Sequence, residues 1–113
     1  MCVFCKIIKK EIPSTIVYED DSFIAILDIQ PETNGHTLVF PKEHYETIID
    51  CPTDIFKNLM GVVQNLAVTI MQDNNASGVN LLNNNYEVAG QSVPHIHFHI
   101  IPRYEKGEVH LSL

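Results

Sequence analysis

The segment His95-Ile96-His97-Phe98-His99-Ile100-Ile101 constrains this chain more than any other. It alternates imidazole and apolar side chains, and in a β-strand successive side chains point to opposite faces. As a strand over 94–101, it buries an apolar face and presents three imidazoles along an open groove. Neighbouring histidines then have Cα atoms ~6.7 Å apart, two strand residues at ~3.3 Å each. Three of the six histidines fall in this alternation, which favours a site over an ordinary polar strand face.

The rest of the chain supplies what such a strand needs. At 113 residues it has the length of one domain, expected to span 1–113. A composition of 45% hydrophobic and 19% charged residues argues against disorder, coiled coil and collagen. The apolar stretches are too short for a transmembrane helix, and the N-terminal residues carry no secretory pattern. Three cysteines, an odd number, two of them three positions apart, fit a reducing compartment better than a disulfide framework. The expectation is a soluble cytoplasmic protein without a membrane partner. A net charge of −7 argues against a protein that clamps a nucleic-acid backbone, yet leaves room for a pocket holding one small phosphate ester.

Residues 3–10 read as a short helical turn ended by Ile12-Pro13. Strand-like runs begin at Val17-Tyr18, at Phe23 to Ile29 and at Thr37 to Phe40, with Gln30 to Gly35 as a loop. Thr53 to about Asp73 is the one long helix: Ile55, Phe56, Leu59, Met60, Val63, Leu66, Ala67, Ile70 and Met71 recur at three- and four-residue spacing. Pro52 precedes it and Thr53 is the expected cap. Strands at Gly78 to Leu82 and Pro94 to Ile101 follow. Strands, then a helix, then strands predict an α+β fold with a largely antiparallel sheet and a helix on one face.

Two chemistries use a histidine row. Imidazole is a metal ligand, and as a neutral base it is also a nucleophile. Straight-strand spacing makes convergence of all three rings on one tetrahedral ion difficult, so a nucleophilic role for the middle ring suits it better. Its outer neighbours then hold substrate or stabilise charge, and a backbone carbonyl can orient its other nitrogen. Just upstream, Gly90 allows unusual backbone geometry, and Ser92 offers a hydroxyl near the row. Cys2-x-x-Cys5 taken alone fits a redox pair, a zinc half-site or two ordinary thiols. For zinc, His44 and His95 are candidates to complete a closed Cys₂His₂ set. Cys51 reads as a small packed residue and His110 as a surface one.

Gly90-Gln91-Ser92-Val93, followed by His95, His97 and His99, resembles the signature of the histidine-triad superfamily, specifically its Hint-like nucleotide hydrolase branch. Ile8-Lys9-Lys10-Glu11-Ile12-Pro13, Tyr18-Glu19-Asp20-Asp21, Asp28-Ile29, Gly35-His36-Thr37-Leu38-Val39, Pro41-Lys42 and His44 resemble further blocks at matching spacing, so the likeness covers nearly the whole chain. It implies an α+β fold with an antiparallel sheet of about five strands, one long helix and a short N-terminal helix, pairing into a dimer-spanning sheet through the long helix and a strand. It implies that His97 attacks the α-phosphorus of a nucleoside 5′-phosphoramidate or related ester, with the His95 carbonyl holding its far nitrogen. The nucleotidyl-histidine is then hydrolysed to a nucleoside monophosphate. His99 would contact the phosphate, Ser92 would support the leaving group, and His36 would support the same cleft. Asp28 would grip the ribose, Ile29 would wall the base of a purine nucleotide, and Asn84, Gly90 and Gln91 would line the phosphate side.

The resemblance also favours structural zinc on Cys2, Cys5, His44 and His95, with no catalytic metal. Two departures stand out. Many relatives have Gly where this chain has Tyr86, and the sequence ends soon after Arg103-Tyr104, where family C-termini tune leaving-group choice. Two alternatives belong to other classes. One is a nucleotide-binding interaction module with incidental hydrolysis; the other is a hydrolase using the histidine row as catalytic metal ligands.

Overall fold

A computed structural model describes residues 2–109; His110 lies outside them. The middle of the fold is built from two apolar strands, β2 (Phe23–Leu27) and β3 (Thr37–Pro41). Both are nearly continuous hydrophobic runs because both sheet faces are covered. Phe23, Ala25 and Val39 point to one face, where Leu59, Val63, Ala67 and Ile70 of the long helix meet them. Ile24, Ile26, Leu38 and Phe40 point to the other and pack against Phe4 and Ile7. The period of two along the strands thus separates two cores.

Flanking elements complete a five-stranded antiparallel sheet of order β1-β2-β3-β5-β4, with β1 at Ile16–Glu19, β4 at Gly78–Leu82 and β5 at Phe98–Arg103. Helix α1 (Val3–Ile8) lies on one face and α2 (Thr53–Asn74) on the other. The expected α+β architecture, with five strands, one long helix and a short N-terminal helix, is the observed one. Cys51 packs in the α2 core.

Three local expectations need correction. The N-terminal helix stops at Ile8 rather than near residue 10, because Lys10 turns to φ 63°. Thr53 does not cap α2: Pro52 holds that position, its carbonyl accepting from the Phe56 N–H at 2.9 Å, with no side-chain cap bond. At the other end, Asn75 adopts a left-handed φ of 54°, and the N–H groups of Asn75 and Ala76 turn back to the carbonyls of Gln72 and Met71.

The third correction concerns the histidine row. The strand expected over 94–101 begins only at Phe98, so His99 is in the sheet while His95 and His97 precede it. Pro94 has no N–H to offer a ladder. The Ile96 N–H donates to the Tyr45 carbonyl (2.7 Å), the His95 N–H to Val93 (2.8 Å), and the His97 carbonyl accepts from the Asn83 side chain (3.0 Å). Loops and a side chain therefore satisfy this backbone in place of a strand. Nor is the row an open face: His95 and His97 are 0% and 3% exposed, covered by α1.

Candidate functional site

Each imidazole of the row has a different set of partners. The His97 Nδ1–H donates to the His95 carbonyl at 2.8 Å. This fixes the proton on Nδ1 and leaves the Nε2 lone pair free. The Phe4 ring stands edge-on to His97, centroids 5.0 Å apart at 86°. Burial depresses the His97 pKa, partly offset by the bond to His95, so the ring is a neutral base at neutral pH.

His99 is set by His36. The Glu32 main-chain N–H donates to His36 Nδ1 at 3.0 Å. A main-chain N–H can only donate, so the His36 proton sits on Nε2. That nitrogen lies 2.9 Å from His99 Nδ1 and 3.5 Å from Asp28 Oδ2. His99 therefore accepts at Nδ1 and carries its own proton on Nε2, as a neutral donor. Burial first, then the neighbouring His97 and His36, pushes its pKa down to about 4. Burial also lowers His36, against the opposing pull of Asp28.

His97 and His99 open onto a cleft of about 380 Å³. Its apolar wall includes Phe4, Ile7, Ile26 and Leu38, and its polar groups include Asp28 and the Ser92 hydroxyl. Ser92 is exposed. Ile29 stands at the rim with 91% of its surface in solvent. One Asp28 oxygen accepts from the Gln30 N–H at 2.9 Å, which orients the carboxylate at the cleft edge.

The loop before the row is tied down elsewhere. Gly90 takes φ 94° with Asn84 beside it, the Asn84 amide 3.4 Å from the Gly90 carbonyl. The Gln91 side chain turns into the protein: its amide donates to the Glu46 and Val93 carbonyls (2.7 and 3.0 Å), and its oxygen accepts from the Tyr86 N–H (2.6 Å). Its side chain is thus committed to securing the loop. Tyr86, at φ 74° and ψ 155°, occupies a region that is essentially glycine's.

His95 faces away from this cleft. Its Nε2–H donates to the Pro41 carbonyl at 2.8 Å, leaving Nδ1 directed at Cys2, Cys5 and His44. The four donor atoms form a closed figure. Cys2 Sγ lies 3.2 Å from Cys5 Sγ, 3.7 Å from His44 Nδ1 and 3.3 Å from His95 Nδ1. Cys5 Sγ lies 3.2 and 3.6 Å from the two imidazole nitrogens, themselves 3.1 Å apart. A Cys₂His₂ zinc tetrahedron with Zn–N near 2.0 Å and Zn–S near 2.3 Å has edges of ~3.3–3.8 Å. The residues fit the ion, and the Pro41 bond is the outer contact that orients a ligating imidazole.

The three histidines of the row do not converge on one point. His95 belongs to the cysteine cluster, and His99 groups with Asp28 and His36, where the His36 proton already occupies the gap. Two contributors were not picked out from the sequence. Asn83 holds the His97 carbonyl and accepts from Asn85 (2.6 Å), which in turn accepts from the Ile48 N–H (2.9 Å). Nothing in a run of three asparagines distinguishes the one that turns inward. Phe4 sits between the two cysteines, and that position was its only signal.

The family model described as HIT domain matches residues 9–106. An uncharacterized HIT-like protein of Methanocaldococcus jannaschii is 52% identical over 110 residues, 96% of this chain and 84% of that protein. An adenosine 5′-monophosphoramidase of Candida albicans is 39% identical over 110 residues, covering 94% and 72%. A solved Zn-bound histidine triad family protein from Mycobacterium smegmatis superposes with a TM-score of 0.90 at 39% identity, covering 99% and 80%.

Proposed function

The chain belongs to the HIT domain family, and from that premise we propose that it is a nucleotide hydrolase or transferase acting on nucleoside 5′-phosphoramidates or related esters. The observation that carries this reading is the 2.8 Å bond from His97 Nδ1 to the His95 carbonyl, which leaves one unprotonated nitrogen facing a cleft with ribose- and phosphate-type partners. The reading treats 1–113 as a single HIT-like domain. The named phosphoramidase relative supports the substrate class.

In the proposed reaction, His97 Nε2 attacks the α-phosphorus. A P–N bond to the histidine forms as the P–N bond to the leaving amine breaks, and the amine takes up a proton from solvent as it departs. Water then attacks the same phosphorus and gives its proton to solvent, the P–N bond breaks with its electron pair returning to Nε2, and nucleoside monophosphate leaves. Throughout, Nδ1–H stays on the His95 carbonyl and stabilises the cationic ring of the intermediate. His99 Nε2–H donates to a phosphate oxygen, with His36 holding its tautomer. Ser92 donates toward the leaving group, Asp28 accepts from the ribose hydroxyls, and Asn84 with the Gly90 backbone borders the phosphate. Zinc on Cys2, Cys5, His44 and His95 supplies a structural cross-link, and no step passes through it. Two thiols left free this close together are more at home in a reducing compartment, which supports a cytoplasmic setting. A homodimer through α2 and β4 is part of the same reading, supported by an apolar groove that includes Ala67, Val68, Met71, Val79 and Leu81.

The experiment is intact-protein mass spectrometry after brief incubation with adenosine 5′-phosphoramidate and an acid-free quench. Consumption of substrate with an added nucleoside monophosphate on the wild type, but not on His97→Ala, is the expected result. Nucleotide bound without substrate consumption overturns the enzymatic reading in favour of a binding module. The pH profile offers a second check. Protonating Nε2 removes the attacking lone pair, and burial holds this pKa below the ordinary 6.5. The acid limb of kcat/KM is therefore expected to have its midpoint below pH 6.5; a midpoint above it contradicts a buried, neutral His97.

A further inference from the structure

We propose that Phe4 is a positioning residue that couples the Cys2-Cys5-His44-His95 centre to the nucleotide cleft, so that metal and nucleotide each tighten the other's binding. The proposal rests on the reading that nucleotide occupies the cleft beside His97. It begins with the size of α1. Six residues are far too few to hold a helix without tertiary contacts, so whatever pins α1 decides whether it is there.

Two sets of contacts pin it. At its start, Cys2 is the N-cap, its Sγ accepting from the Cys5 N–H at 3.3 Å, and Cys5 sits in the first turn. A metal on these two thiols ties that turn to His44 and His95, which belong to the segments after β3 and before β5. Beneath it, the Phe4 ring lies stacked on Phe40, centroids 4.2 Å apart at 9°. The same ring is edge-on to His95 (5.8 Å) and to His97 (5.0 Å). Phe4 therefore lies between the two ligating cysteines in sequence and touches a metal-ligand ring, the proposed nucleophile and the cleft in space.

Val3, Phe4 and Ile7 form part of the cleft wall. A state in which the first turn of α1 lifts away loses that wall and the ring beside His97 together. Metal binding disfavours the lifted state, and so does a nucleotide packed against the wall. Two ligands that select the same state must help each other by the same factor. Charge attraction is not the cause, since two thiolates cancel the charge of a zinc dication.

The test uses the zinc-loaded full chain and follows zinc release into a colorimetric chelator, with and without saturating AMP, in reducing buffer. Titration calorimetry confirms AMP binding in each case. AMP is expected to slow zinc release about tenfold, within the usual range of coupling between sites. In Phe4→Leu, which keeps all four ligands and an apolar side chain, AMP and zinc should still bind, but the slowing should shrink to within about twofold. Calorimetry on zinc-stripped protein, with circular dichroism as a fold check, should give a raised AMP Kd, since whatever affinity AMP adds for zinc, zinc must add for AMP. An unchanged release rate together with an AMP Kd that is the same with and without zinc overturns the coupling and leaves the nucleotide reading standing. Equal slowing in Phe4→Leu overturns the role of Phe4. Failure of AMP to bind the loaded wild type overturns the nucleotide reading, and the coupling with it.

Discussion

His97→Ala is expected to lower turnover of adenosine 5′-phosphoramidate by ~10⁴-fold or more, the scale seen when a nucleophile is deleted, while AMP still binds. The expectation follows from how the other imidazoles are used. His99 Nδ1 accepts from His36, and its Nε2 bears a proton; His36 has both nitrogens engaged. His95 Nδ1 faces the cysteines and its Nε2 donates to Pro41. Among the described residues lining the cleft, His97 thus offers the one unoccupied imidazole lone pair, and no neighbour can substitute. The walls that hold nucleotide come from α1, β2 and β3 and survive the change. His97→Gly leaves a ring-sized gap, in which free imidazole should restore part of the rate. Stopped-flow or steady-state kinetics would decide. A loss confined to KM, or turnover in the alanine variant within tenfold of wild type, would rule out His97 as nucleophile.

Tyr86→Gly should stabilise the fold, a sign opposite to that of most substitutions. Its backbone at φ 74° and ψ 155° lies where side chains other than glycine's cost ~1–3 kcal/mol. Glycine returns ~0.5–1 kcal/mol of that through the greater entropy of the unfolded chain. The net gain is ~1 kcal/mol, about 5 °C in Tm for a domain of this size. Little opposes it: the ring is 46% exposed, and the bonds that hold the turn use backbone atoms. The Tyr86 N–H donates to Gln91, and the Tyr86 carbonyl accepts from the Ala89 and Gln91 N–H groups (3.0 and 3.1 Å). Glycine keeps all of them. A lower Tm for Tyr86→Gly in scanning calorimetry would mean that the ring contributes more than the strain costs.

Periodicity made the sheet and α2 legible, because burial on a face leaves a repeat of two or of 3.6 in the residues themselves. The same repeat misled at the histidines. Alternation tells which side of an extended chain a residue takes, but it carries nothing about whether a neighbouring strand is there to pair with. Pro94 marked the place where a ladder bond is missing, yet the partners that replace it, Tyr45 and Asn83, are remote in sequence. Residue type narrowed the group that could hold a metal to the paired cysteines and a few histidines, and the family resemblance favoured His44 and His95 among them. The His36–His99 bond could not, because it depends on two strands coming into register at Leu38 and His99.

Cys2 and His95 lie 93 positions apart, and that span bears on when the site is completed as the chain folds. Contacts across so long a loop form late, after local helices and hairpins. The His97 ring is oriented locally, by the carbonyl two residues before it, but the Phe4 ring that stands against it comes from the far side of that span. A nascent chain that has emerged only as far as α2 already carries His36 and Asp28, but it has neither the histidine row nor a finished cleft. On the proposed function, reactivity toward nucleotides therefore waits for the closure of that span, after the risk of an unguarded, half-built site has passed.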